Sequence, residues 1–68
     1  MNAYMQARVE LSGLIRKKEG IPGGKDGMKK LAEIINKVME KAGVANYKET
    51  GMPAAEAMQK ALKYYKSN

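Results

Sequence analysis

The sequence predicts an all-α protein, a small three-helix domain covering residues 1–68. Three observations lead there. Apolar residues recur with a helical period in three separate segments. Glycine and proline interrupt the chain between those segments. No segment alternates apolar and polar residues over the length of a strand.

The first helix is expected over residues 2–19. Asn2 can cap it, because its side-chain oxygen can accept from an early backbone N–H. At 100° per residue, Tyr4, Ala7, Leu11, Leu14 and Ile15 fall within one narrow arc. Met5 and Val9 lie on the other side, beside Ser12 and Arg16. Gly13 in mid-helix costs up to ~1 kcal/mol against alanine. Gly20 followed by Pro22 is a stop signal, and Arg16, Lys17 and Lys18 suit the negative end of the helix dipole.

A second helix is expected over residues 27–42, with Asp26 as its cap. Met28, Leu31, Ile35, Val38 and Ala42 step by three and four. Ala32, Ile34 and Met39 widen that stripe. The opposite face carries Lys29, Lys30, Glu33, Asn36, Lys37, Glu40 and Lys41, with opposite charges one turn apart. Gly43 then Val44 reads as a Schellman end, with Val44 folding back on Met39.

Residues 44–52 read as a loop containing at most a short helical turn. Pro53 suits the first position of a third helix over residues 53–66. Ala54, Ala57, Met58, Ala61, Leu62 and Tyr65 form its apolar face. Short loops between amphipathic helices lead us to expect antiparallel neighbours.

Composition narrows the function. The chain has no Cys and no His, so disulfides, thiolate metal sites and the commonest transition-metal ligand are unavailable. Nucleophilic catalysis needs an activated Ser, Thr, Cys or Lys beside a base. Ser12 and Thr50 lie in no such motif. Glu33 and Glu40 share a helix face but are flanked by lysines, which reads as a solvated ion-pair surface. The expectation is therefore no enzyme, no cofactor, no metal and no small-molecule substrate. The loop Gly20 to Lys25 is one residue short of a phosphate-binding loop, follows a helix, and has Asp26 where Ser or Thr would stand. It reads as a connector.

No apolar run reaches the ~18 residues of a membrane span, and the N-terminus lacks the pattern of a signal peptide. The expected location is the cytoplasm, with no membrane partner.

The net charge is +6. It is spread evenly. Residues 1–20 and 28–43 each hold four positive and two negative groups, and residues 53–68 hold three and one, so each helix carries +2. There is no basic tail.

The leading expectation is a non-enzymatic interaction or assembly protein, an accessory or regulatory factor of a class that includes phage and mobile-element products. It would act by docking a helix face on itself, as a homo-oligomer, or on a protein partner. A chain with no staple and a core of Met and Ala gains from such company. Met5 and Val9, off the main stripe, are the candidate interface.

The alternative is DNA binding. Residues 44–66 resemble a helix-turn-helix, with Lys48-Glu49-Thr50-Gly51-Met52 as the turn. The resemblance implies that Gln59, Lys60 and Lys63 face nucleic acid. The matching stretch from Val44 to Leu62 covers about a quarter of the chain, and it departs from the motif at Tyr47, where a small residue is usual, and at Ala57, where a branched one is. A third reading places single-stranded bases on Tyr64 and Tyr65, which neighbour Lys63 and Lys66.

Overall fold

A computed structural model describes residues 2–67; Met1 and Asn68, the ends of the predicted domain, lie outside it. It contains helices and no strand among the described residues: α1 (Ala3–Glu19), α2 (Lys25–Lys41), a single turn α3 (Tyr47–Thr50) and α4 (Ala54–Ser67). The chain folds as a small all-α domain of three full helices.

Each helix starts and stops for a local reason. The Asn2 side-chain oxygen accepts from the Met5 N–H at 2.8 Å, as a cap should. Gly20 ends α1 in the left-handed region at φ 64°, with its N–H donating to the Arg16 carbonyl. At the end of α2, the Val44 N–H reaches the Met39 carbonyl and the Gly43 N–H reaches Glu40, the two bonds of a Schellman end. The Pro53 carbonyl accepts from the Ala57 N–H and opens α4.

The start of α2 differs from expectation. The cap is Gly24, at φ 95°, and no side chain closes it. Asp26 does not cap. It lies in the first turn, where its charge still suits the helix dipole. Glycine reaches the required positive φ without strain, so the helix gains Lys25 and Asp26 over the expected start at residue 27.

The core is apolar throughout, with no buried polar or charged residue among those described. Leu11 and Ile15 of α1, Ile35 of α2 and Met58 of α4 are the largest fully buried side chains. Ala57 and Ala61 are also fully buried, so α4 approaches α1 closely through alanine. Ile21 and Val44 fold in from the loops.

The first and third full helices, α1 and α4, make the closest pairing and run in the same general sense. Lys18 reaches the Tyr65 ring near their C-terminal ends, and Tyr4 and Met58 share a cavity near their N-terminal ends. Between them α2 returns the chain toward the start of α1, where Tyr4 shares a cavity with Met39 and Glu40, the order that antiparallel consecutive helices produce.

Candidate interaction surfaces

Two of the three apolar side chains that remain strongly exposed were legible as off-stripe residues. Met5 is 42 % exposed and Val9 53 %. The third, Met28, was expected in the core stripe of α2 but is 62 % exposed. Its azimuth on α2 falls between those of Ile35 and Met39, both of which are buried. What differs is its level along the helix. Near the start of α2 the inward position is taken by Gly27, which is buried against the Ile21–Pro22 loop. No helix covers the flank on which Met28 stands.

Met28 instead borders a groove that the outer side of α1 also lines. Met5, Val9, Gly13, Met28 and Leu31 line one shallow groove between α1 and α2. Its charged lining residues are Arg8 and Arg16, with no carboxylate. Gly13 has open space where its side chain would be. The fold therefore does not require glycine there, although glycine weakens the helix.

The DNA-facing residues drawn from the helix-turn-helix resemblance sit together. Gln59, Lys60 and Lys63 are exposed on the outer arc of α4, opposite Ala57, Met58 and Ala61. Lys60 is paired with Glu56 at 3.7 Å, and Lys66 crosses to Glu10 of α1. The turn itself is present, with Gly51 at φ 80° and the Met52 N–H donating to the Tyr47 carbonyl. The helix before it, α3, has only four residues.

Sequence reasoning missed a third surface. A cleft of about 450 Å³ opens where the second half of α2 meets the C-terminal parts of α1 and α4. Its floor is Ile34 and Val38, its aromatic residues are Tyr64 and Tyr65, and Lys18, Glu19, Lys37 and Lys41 supply its charge. The Lys18 ammonium lies 5.4 Å from the Tyr65 ring centroid, within cation–π range. Burial, with the nearby Glu19 carboxylate second, holds the Tyr65 hydroxyl above its ordinary pKa. The phenol stays a neutral donor through the physiological range.

Among the described residues, no three His, Cys, Asp or Glu side chains gather as a metal site, and no helix is long and apolar enough to cross a membrane. No family model matches the chain, and no curated protein or solved structure is significantly similar to it.

Proposed function

We propose that the chain is a non-enzymatic interaction protein that receives the apolar face of a partner's amphipathic helix in the α1–α2 groove. The observation that carries this reading is the unfinished apolar face of α2. Met28 continues the stripe of Ile35 and Met39 into the open, and Met5 and Val9 extend it across α1. Such a groove suits helix-in-groove recognition. Gly13 supports the same reading, because it leaves room for close approach at a helical position the fold does not need it for.

Charge selects the occupant. Arg8 and Arg16 flank the groove without a carboxylate, so the fitting partner helix carries Asp or Glu beside its apolar stripe. A second copy of this chain fits less well. A two-fold contact places the same patch on both sides, and each patch is cationic on a molecule of charge +6.

The test uses a synthetic helix of about 18 residues, five turns, with a leucine stripe flanked by glutamate. Titrated into the isotopically labelled protein, it should shift the amide resonances of Met5, Val9, Gly13 and Met28. The same peptide with lysine flanks should bind at least about tenfold more weakly. Gly13→Leu should block the groove while the protein still melts cooperatively. Equal binding of the two peptides, or shifts centred elsewhere, would refute the reading. A dimeric mass in light scattering that Val9→Asp abolishes would assign the groove to self-docking instead.

A further inference from the structure

We infer that the cleft between Lys18, Lys37, Lys41, Tyr64 and Tyr65 binds a phosphorylated nucleoside, either free or as one unit of a single strand. The site is separate from the α1–α2 groove and does not depend on it.

Three features of the cleft converge on that ligand. The first is charge. Three lysines and one glutamate line it, a local balance of +2. Lys37 and Lys41 stand one turn apart on the same helix, where like charges repel. Among the described residues, neither lysine forms an ion pair. A bound phosphate would satisfy both ammonium groups together.

The second feature is the interior. Ile34, Val38 and two tyrosines give a surface that is apolar and aromatic at once. That combination favours a flat base over a peptide carboxylate, since stacking on an aromatic side chain works for any base. The Tyr65 ring already attracts a cation, Lys18, and that cation is in turn available to a phosphate.

The third feature is shape. About 450 Å³ falls within the ~300–1,000 Å³ of small-ligand sites. A concave site admits a base that is splayed out, as in a single strand, and not one held in a duplex stack. Helix carbonyl ends lie close by at Lys18–Glu19 and Lys41, and they disfavour an anion. The lysines must therefore supply the attraction, so the site should be sensitive to their removal.

The experiment follows fluorescence anisotropy of a labelled oligodeoxythymidine with the whole chain. Competitors are unlabelled thymidine monophosphate, duplex DNA, inorganic phosphate and polyglutamate. The single strand should bind and outcompete duplex. Competition by thymidine monophosphate at matched nucleotide concentration would identify a free nucleotide as sufficient; competition only by the strand would identify the polymer. Either result supports the cleft.

Tyr64→Leu should weaken binding about 5- to 100-fold, while Tyr64→Phe keeps most of it. Lys37→Gln with Lys41→Gln should lower the salt slope by about 0.7, the value for the one single-strand phosphate that the two share. These lysines are exposed and contribute little to folding, so the double variant decides the matter even where Tyr64→Leu unfolds. The idea fails if no single strand binds or if polyglutamate competes as well as the strand. It also fails if Lys60→Gln with Lys63→Gln, on the outer arc of α4, has the larger effect and duplex is preferred.

Discussion

Replacing Ile35 with alanine should remove a large share of the protein's stability. Ile35 is 1 % exposed and sits in one apolar cluster with Leu11, Ile15 and Met58. Removing a buried isoleucine to alanine costs about 2–5 kcal/mol, the spread depending on how far neighbours relax into the space. A chain of 68 residues, at ~0.05–0.15 kcal/mol per residue, has about 3–10 kcal/mol in total. One truncation thus removes about a fifth of the stability in the mildest case and all of it in the worst. Leu31→Ala should cost less, because Leu31 is 7 % exposed and forms part of the groove wall. Met28→Ala should leave the melt nearly unchanged, because that side chain already stands in water. Urea titrations of the three variants check the order. Loss of stability in Met28→Ala equal to that in Ile35→Ala would contradict the burial pattern.

That order also marks what could be read from the amino-acid sequence. The three amphipathic stripes, the Asn2 cap, the Gly20 stop and the Schellman end at Gly43–Val44 depend on residues within one or two turns of each other. Local physics was enough for them. Leu31 and Ile35 were placed correctly for the same reason. The failure at Met28 needs information from another helix. Met28 shares the azimuth of the core residues, and only the absence of a covering helix at its level exposes it.

The interaction surfaces divide in the same way. Met5 and Val9 stood out because they break the stripe of their own helix. Gln59, Lys60 and Lys63 do lie on one exposed arc, as helical spacing requires. The lysine–tyrosine cleft was invisible because its residues come from three helices. In sequence, Tyr64 and Tyr65 neighbour Lys63 and Lys66. The lysines that share their cleft are Lys18, Lys37 and Lys41.

Gly27→Ala should destabilise the protein, although alanine is the better helix former. The position lies in the first turn of α2, where alanine would ordinarily gain up to ~1 kcal/mol. Here a methyl group would overlap the Pro22 carbonyl oxygen and stand 2.9 Å from the Pro22 carbonyl carbon. Both are backbone atoms of the α1–α2 loop, so no side chain can rotate out of the way. The loop is held on both sides of the clash. Ile21 is buried in the core, its N–H donates to the Arg16 carbonyl, and Gly24 begins α2 from a positive φ. Relief therefore means drawing Ile21 outward or tilting the first turn of α2. Overpacking of this kind costs about 1–3 kcal/mol, sometimes more, which exceeds the propensity gain. Gly13→Ala supplies the control. Its new methyl meets open space, so the propensity term acts alone and the variant should gain up to ~1 kcal/mol. The two glycines, both in helices of the same length, should shift the thermal midpoint in opposite directions. An unchanged or raised midpoint in Gly27→Ala would mean that the loop yields freely, and that the packing of Pro22 on α2 does not set where the second helix begins.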